Sequence, residues 1–132
     1  MAAVAAFEAT HLHGVLTLCI AEGWPTFPSD PDRALRALLA PGATTVVALD
    51  ADGEVIGFAH ALSDGVTGYL AELLVASEHR HQGIGRRLIS ETFERCGAGR
   101  VDLLTTDSAE SFYASLPHRR YAGFRLYSPS AR

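Results

Sequence analysis

The 132 residues predict a mixed α/β (α+β) fold, with a mostly antiparallel central sheet flanked by helices in one domain spanning 1–132. Three observations predict it. Two apolar stripes at helical period open the chain, and three strand-like segments separated only by turn signals follow. The remainder then alternates strand, helix, strand, helix, strand. With 48% hydrophobic and 20% charged residues in a chain of this length, one core is expected and wholesale disorder is excluded.

Each element has its own signal. Leu12, Val15, Leu16, Cys19 and Ile20 recur at i, i+3, i+4, i+7 and i+8, with Thr10 as N-cap and Gly23 as stop. Ser29-Asp30-Pro31 starts a second helix that turns Leu35, Leu38 and Leu39 inward and ends at Pro41-Gly42. Thr44 to Leu49 is apolar and β-branched, Asp52-Gly53 is a hairpin turn, and Val55 to Leu62 returns. After Ser63-Asp64-Gly65, Thr67 to Val75 makes the third strand. The period then becomes helical, with Gly85, Leu88, Ile89, Phe93 and Cys96 on one face and Gly97-Ala98-Gly99 as the stop. Val101 to Thr105 reads as a short buried strand, and Asp107 with Glu110 as the capping box of a helix through Ser115. Phe124 to Tyr127 is expected to close the chain as a last strand.

Charge narrows the partners. All 11 basic residues are arginine, no lysine occurs, and the net charge is −4. Such a chain is a poor nucleic-acid binder, so no nucleic-acid partner is expected. The apolar runs fall short of the roughly 18 residues a membrane span needs. Glu8, His11 and His13 interrupt any signal-peptide core, so a cytoplasmic protein with no membrane partner is expected. Cys19 and Cys96 stand on apolar helix positions and read as small buried hydrophobes. His11-x-His13 and His79-x-His81 lack a nearby third ligand, so no metal is expected.

One stretch carries chemistry. The apolar Leu73-Leu74-Val75 runs into a turn, and Gly83 and Gly85 open a helix. Glycines there let backbone amides approach an anion, and the first helical turn supplies unpaired N–H groups at the positive end of the dipole. Arg80, Arg86 and Arg87 add positive charge at the same mouth. A Walker loop is excluded because it needs a lysine. A dinucleotide fingerprint fits poorly, since Leu88 stands where a third small residue belongs and the segment follows a meander.

The remaining pattern, Arg80-His81-Gln82-Gly83-Ile84-Gly85, resembles the coenzyme A pyrophosphate turn of the GNAT superfamily of N-acetyltransferases. The flanks resemble it too: Leu73-Leu74-Val75 before the turn, and Thr106-Asp107-Ser108-Ala109-Glu110-Ser111-Phe112-Tyr113 after the helix. The likeness runs from Thr44 to Tyr127. It departs at Thr106, where the family often has asparagine, and after Tyr113, where Pro117-His118 replaces a Gly-Phe pair in a short C-terminus.

The resemblance implies direct transfer of an acetyl group from acetyl-CoA, as co-substrate, to a primary amine in a ternary complex. Leu73, Leu74, Val75, Arg80, His81, Gln82, Gly83, Ile84, Gly85 and Arg86 are the implied cofactor-binding residues. The strand ending in Val75 would splay from its neighbour and pair with the pantetheine arm. Tyr113 matches the tyrosine that protonates the leaving thiolate; the other reading is a core aromatic. For the general base the candidates are Glu72, His60 and Asp64. Trp24 and Phe27 line an acceptor pocket or cap the core. A small-molecule or peptide amine is the expected partner, with a homodimer open. The alternative function is a catalytically silent acyl-CoA sensor or interaction module of the same fold.

Overall fold

The computed structural model describes residues 2–130, and among them no helix is long and apolar enough to cross a membrane. The chain divides into two compact units, one ending at Asp102 and the other beginning at Leu103.

The first unit is built on a five-stranded sheet in the order β1 (Ala3–Ala6), β2 (Ala43–Leu49), β3 (Val55–Ser63), β4 (Gly68–Val75), β5 (Val101–Asp102). The first four strands pair antiparallel, and β5 runs parallel to β4. Strand β1 was not expected, because alanine is a weak strand former. It forms by pairing Ala3 to Ala6 along β2, and Phe7 follows it into the core, 6% exposed.

Helices α1 (Leu12–Glu22) and α2 (Pro31–Leu38) cover one face, where Val15, Cys19 and Leu38 meet Val47, Phe58 and Leu74. Helix α3 (Ile84–Cys96) packs on β2 and β3 from the other face, where Leu88 approaches Gly57. Full burial of side chains such as Phe58, Leu38 and Leu88 stabilises the fold by about 1.5–3 kcal/mol each.

Several expected details differ. The first helix begins with a 3-10 turn, Ala9–His11, closed by a reciprocal Glu8–His11 box, so Thr10 is not the N-cap. Gly23 does stop α1, with φ 80° and its N–H on the Cys19 and Ile20 carbonyls. Ile20 points outward, as do Leu39, just past α2, and Phe93 on α3. The α3 seam is Ile84, Leu88, Thr92 and Cys96, a four-residue row set by contact with the sheet, which rotates the buried face away from Phe93.

Asp30 caps α2 as its neighbours predict, accepting from the Arg33 N–H at 3.2 Å. Strand β5 is only Val101–Asp102, shorter than the expected span to Thr105. In the second unit, a 3-10 turn Asp107–Ala109 precedes α4 (Glu110–Ala114). The 3-10 turn has Thr106 as its N-cap and α4 has Ala109, and no Asp107–Glu110 capping box forms; Glu110 instead pairs with Arg120. Phe124 to Tyr127 forms no strand, and Phe124 is 84% exposed.

Candidate active site

Strand β4 owes its shape to one extra residue. His60 on β3 stands opposite Glu72, but the next pair is Ala61 with Leu70, so Ala71 is inserted as a β-bulge. Without it, alternation would turn Leu70, Glu72 and Leu74 to one face. With it, Leu70 shares a face with Ala61, while Glu72 and Leu74 share the α1–α2 face with His60 and Phe58. The sequence carries no signal for this insertion.

The same strand keeps one edge open. Its parallel ladder with β5 covers Gly68 and Tyr69 only, and past them β4 has no further strand on that side among the described residues. The Ala76 N–H donates to the Ile56 carbonyl at 2.8 Å, so at the two-residue period Leu74 also turns its backbone toward β3. Leu73 and Val75 therefore direct their N–H and C=O groups to the open edge. Leu74 differs from its neighbours: its backbone pairs with Phe58 and its side chain is core.

A tight turn follows. A 3-10 turn, Ser77–His79, leads through extended Arg80 to His81 at φ 63° and Gly83 at φ 82°. Two left-handed residues so close reverse the chain and aim successive amides outward, and Gly83 adopts that conformation without a Cβ penalty. Gly83 is the N-cap of α3 and carries no side-chain cap; a Cβ there would meet nothing within 4 Å. The first helical bond runs from the Arg87 N–H to the Gly83 carbonyl at 3.1 Å, so the amides of Ile84 and Gly85 have no acceptor within the helix. This is an anion cradle of backbone N–H groups.

The arginines divide. Arg80 donates through Nε to the Val75 carbonyl at 2.9 Å and through Nη2 to Glu22 Oε1 at 2.7 Å. Its guanidinium thus ties the end of β4 to the end of α1, a framing role for which the sequence offers no cue. Arg87 donates to the Ala2 carbonyl at 2.6 Å. Arg86, His81 and Gln82 are exposed around the cradle.

Of the three base candidates, the structure brings two together. Glu72 and His60 face each other across β4 and β3, with Cys19 of α1 on the same side. Burial, and then the Glu72 charge, push the Cys19 thiol up to about 11, so it stays protonated and is not a nucleophile. Burial lowers the His60 pKa and keeps the ring neutral near pH 7.

Asp64 lies elsewhere, in the β3–β4 turn, where it accepts from the Val66 and Thr67 amides at 2.8 and 2.7 Å. Those bonds lower its pKa and explain it as a turn builder. It lines an open cavity of about 530 Å³ with Tyr69 and Asp102 at the start of β4. Trp24 and Phe27 pack against the core, and Phe27 meets the His60 ring edge-on at 6.2 Å. In the second unit Tyr113 lies on α4, its ring T-shaped to Phe112 at 5.1 Å.

A bulged strand with an open edge thus runs into an amide cradle at a helix N-terminus in an α+β fold. A family model for the acetyltransferase (GNAT) domain matches residues 41–116. The chain belongs to the GNAT acetyltransferase family.

Solved structures agree in fold. The GNAT family acetyltransferase of Streptococcus pneumoniae TIGR4 is 25% identical, with TM-score 0.75 over 98% of this chain and 100% of that one. An acetyltransferase of Trypanosoma brucei is 19% identical, with TM-score 0.75 over 97% and 99%. The aminoglycoside N-acetyltransferase AAC(6')-Iy, solved in complex with CoA, is 20% identical, with TM-score 0.80 over 99% and 96%. No curated protein matches the chain.

Proposed function

We propose that this protein is an N-acetyltransferase that moves an acetyl group from acetyl-CoA to a primary amine by direct transfer in a ternary complex. The observation that carries the reading is the open edge of β4 at Leu73 and the Val75 N–H, leading directly into the amides of Ile84 and Gly85 at the start of α3. A thioester with a long amide-bearing arm and a pyrophosphate matches both parts. The edge offers strand-like partners to the arm, and the cradle offers N–H donors and positive dipole to the phosphates.

The family match runs across the boundary between the two units, which supports reading both as parts of one acetyltransferase domain. The complex of AAC(6')-Iy with CoA supports the choice of co-substrate.

The residues then have roles. Bound acetyl-CoA supplies an acyl group on a good leaving group. The backbone N–H at Leu73 faces the edge and is placed to stabilise negative charge on the thioester oxygen. Glu72 accepts the proton lost by the attacking amine. As the C–S bond breaks and its electron pair moves to sulfur, Tyr113 donates its hydroxyl proton there, and solvent exchange restores both residues. Arg80 holds the end of β4 through the Val75 carbonyl, so the edge and the cradle keep their spacing.

Two measurements test this together. Titration calorimetry with acetyl-CoA is expected to show binding at millimolar concentration or tighter in the wild type, and none in Gly85→Val. A thiol-release assay over chemically distinct amines is expected to find turnover. Binding without turnover across the panel would favour a silent sensor, and wild-type binding by Gly85→Val would remove the cradle from the site.

A further inference from the structure

Making a secondary amide from an ammonium acceptor removes two protons from nitrogen, one before attack and one as the bond forms. Sulfur takes one back. Glu72 holds one proton at a time, so a second acceptor beside it would clear it for the next. The buried polar row on that face supplies one.

Thr45 on β2, His60 on β3 and Glu72 on β4 lie in register across three strands. The Thr45 hydroxyl donates to the Leu38 carbonyl at 2.9 Å, and Thr45 Oγ1 lies 2.8 Å from His60 Nδ1. A hydroxyl has one proton. Leu38 takes it, because a carbonyl only accepts, so Thr45 can only accept from His60. Nδ1 therefore carries the ring proton, and Nε2 is left with a lone pair. Leu38 ends α2, so packing of that helix on β2 sets the tautomer of a residue on β3. Nδ1 is directed at β2, and Nε2 lies on the other side of the ring, away from it. His60 is 5% exposed, and no fully buried side-chain nitrogen or oxygen among the described residues lacks a partner.

We propose that His60 is a proton-relay residue of the acceptor site: held as the Nδ1–H tautomer by Thr45 and the Leu38 carbonyl, it takes up at Nε2 the proton that the acceptor nitrogen delivers to Glu72. The step balances. The ammonium loses one proton to the Glu72 carboxylate, the carboxyl passes it to Nε2, and Glu72 is again a carboxylate when the second proton leaves. The imidazolium then returns its proton to solvent. This role rests on the amine-acetylation reading and adds to it a residue that acts through Glu72.

Thr45 from β2 and Phe27 from the loop after α1 meet the ring, Glu72 of β4 stands opposite it, and Cys19 of α1 lies near Glu72. Cys19 stays protonated and Phe27 does not titrate, which leaves His60 and the Glu72 opposite it as the ionisable pair.

The tautomer is read first and without turnover, from the two imidazole nitrogen shifts of His60 in long-range proton–nitrogen spectra. A protonated Nδ1 and a bare Nε2 are expected, with the tautomers mixing in Thr45→Val. A protonated Nε2 in the wild type would overturn the proposal. The kinetic arm uses His60→Asn, whose amide nitrogen can stand in for Nδ1 toward Thr45 but offers no base.

With thiol release as readout, kcat/KM for His60→Asn is expected to fall ten- to a hundredfold, with KM for acetyl-CoA unchanged and the acid limb of the pH profile displaced. Unchanged kcat/KM and an unchanged acid limb would overturn the relay while leaving acetylation intact. Absence of thiol release by the wild type would overturn the acetylation reading, and the relay with it, even with the expected tautomer present.

Discussion

Tyr113 and His60 are single residues whose roles can be separated from the fold. A phenol, titrating near about 10, keeps its proton at neutral pH and can give it to sulfur as charge develops. Tyr113→Phe deletes that donor and keeps the ring that lies against Phe112. The dissociation constant for acetyl-CoA is expected to change little while kcat falls roughly ten- to a thousandfold. A lost binding isotherm would make Tyr113 structural, and unchanged turnover would hand the proton to water.

His60 makes a prediction about stability. Burial lowers its folded pKa below 6.5, while the unfolded chain titrates near the ordinary value. As pH falls from about 6.5 toward the folded pKa, the unfolded state binds the extra proton, so stability falls with pH by up to ~1.4 kcal/mol per unit. The penalty is absent above that window and levels off below the folded pKa. Urea melts from pH 7.5 down to 5 are expected to show this slope in the wild type and a shallower one in His60→Asn. Parallel slopes would assign the acid loss to other groups.

Helix α1 sits close to the sheet because Gly14 lets it. A Cβ built on Gly14 falls 2.7 Å from both Cβ and Cγ2 of Val55, at the start of β3. Those atoms belong to a short branched side chain that cannot swing away, so the helix would have to lift. Gly14→Ala is expected to lose about 1–3 kcal/mol despite the better helix propensity of alanine. Val55→Ala removes the obstructing Cγ2 and should recover part of the loss in the double variant. If Gly14→Ala melts at or above the wild-type temperature, the close approach of α1 and β3 is not rigid.

Across the whole chain, the absence of lysine has a measurable consequence. An N-acetyltransferase assayed with excess acetyl-CoA commonly finds its own ε-amines, and here only the N-terminal amine is an ordinary nitrogen target. Intact mass after incubation of the untagged protein is expected to show at most one stable added acetyl. Several would mean that another side-chain type is acylated, against direct transfer to an amine. The thiols are poor competitors in the folded state, since Cys19 is 1% and Cys96 7% exposed and the Cys19 thiol is held protonated.

What the linear order could specify is local. The apolar meander set strands β2 to β4, because turn residues and alternation act over a few positions. The glycine-bearing segment from Arg80 to Gly85 set the cradle, because a left-handed turn into a helix is encoded where it occurs. Strand β1 was not legible, since Ala3 to Ala6 becomes a strand only when β2 is beside it. The outward turn of Ile20 and Phe93 was hidden for a similar reason: an apolar stripe is wider than the line of contact a sheet accepts. Phe124 to Tyr127 shows the converse, a strand-like segment with no partner strand.

At the site, the resemblance pointed to Glu72, with His60 and Asp64 as rivals, but the facing of Glu72 and His60 depends on the single inserted Ala71, and the His60 tautomer on a carbonyl of α2. Both are fixed by elements distant in sequence. Side-chain direction follows the register that packing selects, and a proton's place on a ring follows the partner that packing brings to it.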